Sequence, residues 1–293
     1  MDFSKRLRSF LSTPDKMVIA PGAYDGISAR LIAEAGFEAV YMTGAGTSAS
    51  RLGQPDLGLT TLTEMVANAA AIVECTELPV IADADTGYGN PLNVIRTVRE
   101  YERSGVAGIH IEDQSYPKRC GHMEGKQVLK PDEFVQKIKA AVDARRNQEF
   151  VIIARTDARS VHGFEEAVRR GNLYAEAGAD VIFIESPQTL EEVGSIPQLI
   201  KAPCLINMAG PASKTPALPN EDLKRMGYRI AIHPGVAMEA ALTSIRLALK
   251  RLKDEGISWD PKNLVGPQKL FEAMGLGSWR AREKKYISRE EGT

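Results

Sequence analysis

Acids, an arginine and a cysteine flanked by cations fall at the ends of short apolar runs in this sequence. Asp83-Ala84-Asp85-Thr86-Gly87 follows Pro79-Val80-Ile81-Ala82, and Glu112-Asp113 closes Ala107-Gly108-Ile109-His110-Ile111. Two carboxylates separated by one residue point to one face of an extended chain. Asp83 and Asp85, joined by Glu112 of the next run, would then form an oxygen-rich cluster. Hard oxygen ligands suit Mg²⁺, which keeps several waters and needs only one or two direct carboxylates. The bland alternative is a set of solvated acids that cap the following helix.

Cys120 sits in Lys118-Arg119-Cys120-Gly121-His122. Nearby positive charge lowers a thiol pKa and makes a cysteine reactive, so the local sequence predicts an activated thiol. The segment from Gln114 to Lys130 is long and polar for a strand-to-helix connection. Gly121 and Gly125 would let it move, which points to an active-site lid. An ordinary exposed loop cysteine is the alternative. Cys75 and Cys204 stand in apolar surroundings and read as core residues. Three cysteines make no disulfide framework and imply a reducing compartment, the cytoplasm.

Thr43-Gly44-Ala45-Gly46-Thr47-Ser48-Ala49 fits a dinucleotide-binding fingerprint after an apolar run, but the signal is weak. That fingerprint expects an acid ending a second strand ~20 residues on. The acid at that distance is Glu64, which opens an Ala-rich helical stretch instead. The glycines read better as backbone amides approaching a substrate carboxylate. His162 reads as a surface residue. His233, before Pro234, could line the mouth of a barrel.

These residues need a scaffold that brings run ends together. Eight apolar runs recur, at residues 17–20, 39–42, 79–82, 107–111, 150–154, 181–184, 204–207 and 229–233. Continuous apolar strands suit a parallel sheet buried on both faces. Helical patterns lie between them. Asn90-Pro91 looks like an N-cap with proline at the first helical position. Ala35-Gly36, Ser104-Gly105 and Ala177-Gly178 share a glycine C-cap followed by a strand. Strand and helix alternating eight times predict a (β/α)8 TIM barrel, with an open doubly wound sheet as the alternative. Barrel chemistry gathers at the C-terminal strand ends. There the sequence places Thr43, Gly44 and Ala45, then Asp83 and Asp85, His110 and Glu112, Arg155, Glu185, Asn207 and His233.

The 293 residues read as one barrel domain, with 254–293 as a helical extension. Trp279 and Tyr286 on the charged tail are expected to pack on the barrel or on a neighbouring subunit, and Arg289 to Thr293 to fray. A formal net charge of −1 gives no reason to expect nucleic acid or an anionic membrane as partner. The N-terminus lacks a signal-peptide pattern, and no apolar run approaches the ~20 residues of a membrane helix.

At these residues the chain resembles the isocitrate lyase/phosphoenolpyruvate mutase superfamily. The matching pieces, in family order, are Tyr41-Met42-Thr43-Gly44, Pro55-Asp56-Leu57-Gly58, Asp83-Ala84-Asp85-Thr86-Gly87-Tyr88-Gly89, Ile111-Glu112-Asp113-Gln114, Lys118-Arg119-Cys120-Gly121-His122, Ala154-Arg155-Thr156-Asp157-Ala158, Glu185 and Asn207. The cysteine segment marks the lyase branch, which includes methylisocitrate and dimethylmalate lyases, oxaloacetate hydrolases and the petal death protein.

The resemblance implies a Mg²⁺ site at Asp83 and Asp85, with Asp85 the closer and Mn²⁺ as a substitute. It makes Cys120 the proton donor, with Glu112, Arg155 and His110 completing the catalytic set. Tyr41, Thr43, Gly44, Ala45, Asp56, Gly121, His122, Glu185 and Asn207 would surround a small dicarboxylate. It also implies a homotetramer, a dimer of dimers that exchange their C-terminal helices. The implied reaction cleaves a C–C bond in a substituted malate or a methylisocitrate-like acid. The alternatives are oxaloacetate hydrolysis, or phosphonopyruvate or carboxyphosphonoenolpyruvate chemistry with Asp56 as nucleophile. Where methylisocitrate lyases hold a third carboxylate with arginine, this chain has Glu239, which disfavours a tricarboxylate.

Overall fold

The eight apolar runs become eight parallel strands. The computed structural model describes residues 2–210, 213–258 and 265–286. The strands are β1 Val18–Ala23, β2 Val40–Met42, β3 Val80–Asp83, β4 Gly108–Glu112, β5 Val151–Thr156, β6 Val181–Ile184, β7 Cys204–Asn207 and β8 Ile230–His233. They pair in sequence order, and β1 returns to pair with β8 through Val18↔Ile230 to Pro21↔His233. That last pairing closes the barrel and rules out the open sheet.

The helices are α1 Phe3–Ser12, α2 Gly26–Glu34, α3 Gly44–Leu52, α4 Leu62–Cys75, α5 Pro91–Ser104, α6 Pro131–Ala144, α7 Ala158–His162, α8 Phe164–Glu176, α9 Leu190–Leu199, α10 Asn220–Met226, α11 Val236–Glu255, α12 Pro267–Ala273 and α13 Leu276–Tyr286. Asn90 caps α5 through the amides of Leu92 and Asn93, with Pro91 in the first turn. Gly36, Gly105 and Gly178 take φ of 84°, 87° and 105°, the left-handed backbone that a side chain would strain.

Strand alternation sorts the core into two layers. Val40, Met42, Ile109, Ile111, Ile152, Ile182 and Ile206 face outward and pack against the helices. Ile81, Val151, Ile153, Phe183, Leu205 and Ile232 fill the barrel interior. Leu7 and Leu11 of α1 join the interior layer and plug its floor. The sequence reading passed over α1. Asp2 as N-cap and the spacing of Phe3, Leu7, Phe10 and Leu11 were its signal.

The chain divides into two compact units, residues 1–238 and 239–293. The first contains the whole barrel. In the second, α11 has no buried residue, and Ile245 and Leu249 are among its exposed apolar side chains. Glu239 lies in its first turn. Trp279 and Tyr286 of α13 are exposed, and Arg282 lies 5.0 Å over the Trp279 ring. Residues 289–293, expected to fray, fall outside the described residues. No helix among those described is long and apolar enough to cross a membrane.

Candidate active site

Alternation also delivers the polar residues. Inward positions of β2 to β5 run upward into Tyr41, Asp83, His110, Glu112 and Arg155, all buried. Glu185 and Asn207 continue the inward series at the ends of β6 and β7, also buried. Register sets Asp83 beside His110 and Glu112 beside Arg155. Tyr41 OH lies 2.8 Å from His110 Nε2 and donates to Asp83 Oδ2 at 3.4 Å. Burial lowers the His110 pKa, so its imidazole is neutral at pH 7.

Asp85 reaches the site by a different route from the one its spacing implied. β3 ends at Asp83, and Asp85 takes a left-handed backbone at φ 48°, so strand alternation does not extend to it. Asp83 Oδ1 accepts the Asp85 amide at 2.9 Å and turns the chain there. Lys118 Nζ then stands 2.5 Å from Asp85 Oδ1 and 2.5 Å from Asp56 Oδ1. Burial, helped by the charges of Asp83 and Asp56 and opposed by Lys118, pushes the Asp85 carboxyl up to about 6.

Arg155 is held by two acids. Its Nε and Nη2 donate to Asp157 at 2.9 and 3.2 Å, and Nε lies 3.3 Å from Glu112 Oε2. Burial opposes ionisation of Asp157, but Arg155 and Lys126 overcome it and hold its carboxyl well below the usual range. Asp113 fixes this pair in turn. Its Oδ1 accepts the Asp157 amide at 2.9 Å, while Oδ2 accepts Thr156 Oγ1, Arg170 Nη1 and Tyr174 OH at 2.7, 3.0 and 2.9 Å.

The β4–α6 connection folds as a stemmed lid. Ser115 and Gln127 pair by backbone at 2.9 Å, and Leu129 donates to Asp113 at 2.8 Å. The Gln114 amide holds both sides of Arg119, each at 2.9 Å. At the tip, His122 Nε2 lies 3.1 Å from Glu185 Oε1, and its Nδ1 meets Ser186 Oγ at 3.2 Å. Asn207 Nδ2 bridges both Glu185 oxygens at 3.3 Å.

The thiol differs from expectation. Burial raises the Cys120 pKa above its ordinary value. The two cations that were to lower it face elsewhere: Lys118 toward Asp56 and Asp85, Arg119 outward onto the Glu124 carbonyl at 3.2 Å. Cys120 is therefore a protonated thiol at neutral pH, suited to giving a proton rather than to attacking as thiolate. Cys204 is buried in the core and Cys75 half-buried at its edge.

Gly44, Ala45 and Gly46 form the first turn of α3, with Thr43 as N-cap accepting the Gly46 amide at 3.2 Å. The Gly44 and Ala45 amides face no carbonyl of a preceding turn, and free amides at a helix start can receive an anion. Gly44 is needed for closeness: a β-carbon there would stand 2.4 Å from Asp83 Oδ2. Glu64 closes a capping box with Thr61 on α4, which removes the dinucleotide reading. His162 is exposed. His233 ends β8, half-buried, with Nε2 3.0 Å from Asn220 Oδ1.

The family model described as phosphoenolpyruvate phosphomutase matches residues 7–253. The chain belongs to the isocitrate lyase/phosphoenolpyruvate mutase superfamily. The 2,3-dimethylmalate lyase of Eubacterium barkeri is 50% identical over 291 residues, which cover 98% of this chain and 99% of that protein. The structure of oxaloacetate acetylhydrolase with the inhibitor 3,3-difluorooxalacetate superposes with a TM-score of 0.93 at 42% identity, covering 97% of each chain. That of phosphonopyruvate hydrolase with oxalate and Mg²⁺ gives 0.87 at 32%, covering 98% of this chain and 100% of that one.

The superfamily's divalent metal can be tested against this chain's own atoms. Among the described residues, no three His, Cys, Asp or Glu side chains converge tightly enough to cage an ion alone. Mg²⁺ does not require that, since it keeps waters and takes one or two carboxylates. The donor set fits. Asp83, Asp85 and Glu112 are buried hard-oxygen donors, and Glu112 Oε1 has no hydrogen-bond partner. An orphaned buried carboxylate oxygen calls for a cation.

Four residues escaped the sequence reading as site members. Lys118 was read only as a neighbour of the thiol. Asp157 stood in a quoted motif with no role attached, and it lies past the end of β5, where strand alternation no longer applies. Asp113 stood in a quoted motif with no role attached. Lys126 carried no signal, because its contacts depend on how the lid folds.

Proposed function

We propose that this protein is a Mg²⁺-dependent carbon–carbon lyase acting on a substituted malate such as 2,3-dimethylmalate, with Cys120 as proton donor. One observation carries the reading: a half-buried thiol, its pKa raised by burial, sits on a lid whose tip rests on Arg155 and Glu185. A thiol so placed suits a reaction that ends by protonating a carbanion.

The substrate's 2-oxo-acid end would lie on the amides of Gly44 and Ala45 and the Thr43 hydroxyl, with Arg155 clamping an oxygen. Mg²⁺ held by Asp85, with Asp83 and Glu112 around it, would lower the pKa of the 2-hydroxyl and neutralise charge at that end. Glu112, whose ionised carboxyl burial makes a stronger base, would take the hydroxyl proton. As the C2–C3 bond breaks, C2 becomes the carbonyl of a 2-oxo acid and the electron pair passes to C3. C3 takes the Cys120 proton, giving a monocarboxylate. Tyr41, His110, His122, Glu185 and Asn207 orient substrate and lid, and the closed lid excludes water.

Hydrolysis of oxaloacetate is the second reading, favoured by the close likeness to oxaloacetate acetylhydrolase. Phosphonate chemistry would need Asp56 as a nucleophile. Incubation with 2,3-dimethylmalate and with oxaloacetate, with and without Mg²⁺, separates these by product mass. Pyruvate plus propionate from the first supports the lyase. Oxalate plus acetate from the second, with dimethylmalate untouched, replaces it. Three free thiols support a cytoplasmic setting. The exposed apolar residues of α11 support a homotetramer of helix-exchanging dimers, which light scattering would report as four chains.

A further inference from the structure

The carbonyl oxygen of Gly121, next to Cys120, accepts a hydrogen bond from Lys126 Nζ. The same ammonium donates to Asp157 Oδ1 at 2.8 Å, and its side chain is 2% exposed. Asp157 Oδ1 also accepts Arg155 Nη2 at 3.2 Å. One buried carboxylate oxygen is thus shared by the arginine of the barrel mouth and by a lysine that holds the lid tip. Gly125, at φ 76°, turns the chain back so that Lys126 passes beneath the tip. Other ties hold the lid, Lys118 to Asp56 and Asp85 and His122 to Glu185, but none of these runs to Asp157. Ser186 Oγ donates to the Gly121 carbonyl at 3.3 Å, and Lys214 pairs with the exposed Glu124.

We propose that Lys126 is a positioning residue that fastens the Cys120 segment to Arg155 through Asp157, so that the thiol is seated only while the arginine is in place. Its effect on turnover rests on the reading of Cys120 as proton donor; the seating does not. Loss of the latch leaves the Arg155–Asp157 pair bidentate and the Asp113 network whole, so the barrel has no reason to unfold. It removes charge-assisted hydrogen bonds from the closed lid, each of which shifts an open–closed equilibrium by about tenfold or more.

Alkylation of Cys120 by iodoacetamide, located by peptide mass, reads the lid directly in Lys126→Met and Lys126→Arg of the full chain with Mg²⁺. A mere electrostatic role predicts slower labelling in Lys126→Met, because removing a positive charge raises a thiol pKa. The latch predicts the opposite: labelling at least about tenfold faster and kcat at least about tenfold lower, with KM changed less than kcat. Lys126→Arg, which keeps charge and donors, should return labelling to within about threefold of the unaltered protein. Labelling of Lys126→Met that is unchanged or slower overturns the proposal. If Lys126→Met does not fold, Lys126→Gln is judged by the same criteria. If no diacid is cleaved by any form, the proton-donor reading fails, and the labelling rates still decide the latch.

Discussion

Gly121 lies so close to Glu185 that a β-carbon on it would stand 2.5 Å from Oε1. The same β-carbon would stand 2.5 Å from Arg155 Nη2. The lid tip therefore seats only where it carries no side chain. Gly121→Ala should hold the lid off its floor and lower kcat by about 10²-fold, the cost of a misplaced reacting group. Because the change lies at the tip, the melting temperature should stay within about 2 °C. Steady-state kinetics and a thermal melt on one preparation check both halves.

Burial that keeps the Cys120 thiol protonated has a consequence for pH. A proton donor with a pKa raised above its ordinary 9.0 keeps its proton through neutral and mildly alkaline solution. The alkaline limb of kcat should therefore fall above pH 9, and iodoacetamide should label Cys120 more slowly at pH 8 than a free thiol. An alkaline limb near pH 7 would show a thiolate-forming cysteine instead.

The Arg155–Asp157 pair makes a stability prediction. Asp157→Asn leaves two buried cations short of a counter-charge and should cost about 3–5 kcal/mol by urea unfolding at pH 7. The depressed pKa of Asp157 means that its contribution is complete above the unfolded value of about 3.9 and is lost as pH falls toward the folded one. Unaltered protein should lose stability steeply below about pH 4, and Asp157→Asn should lose less over the same interval. Parallel curves would mean that Asp157 carries no such linkage.

Metal dependence should divide along the acids. Chelation should abolish turnover without lowering the helical signal in circular dichroism, and added Mg²⁺ should restore it. Asp85→Asn should raise the Mg²⁺ concentration for half-maximal rate by at least about tenfold. Lys118→Met, which leaves Asp56 and Asp85 facing each other unpaired, should lower kcat/KM by more than about tenfold. Full turnover in chelator would remove the acids from the chemistry.

The barrel was legible because each strand is short, apolar and followed by a polar residue at the next inward position, as in Ile109-His110-Ile111-Glu112. Periodicity carries that information without tertiary detail. Capping was legible for the same reason, since Asn90-Pro91 and Gly105 act on their own helix. Geometry beyond the strands was not. Asp85 sits past the end of β3 on a left-handed turn, where the period of two no longer applies. Cys120 was read from its sequence neighbours, but Lys118 and Arg119 turn their charges elsewhere and burial decides its state. Lys126 meets Asp157 across 31 positions, a pairing that only the folded lid creates.

The central claim is that the half-buried thiol of Cys120 supplies the proton that completes carbon–carbon cleavage. Its most direct test is turnover of 2,3-dimethylmalate by Cys120→Ser with saturating Mg²⁺, measured beside oxalate binding by calorimetry. The account predicts pyruvate formation reduced by about 10²-fold or more, with oxalate bound within about threefold of the unaltered protein. Pyruvate released by Cys120→Ser at the unaltered rate would contradict it.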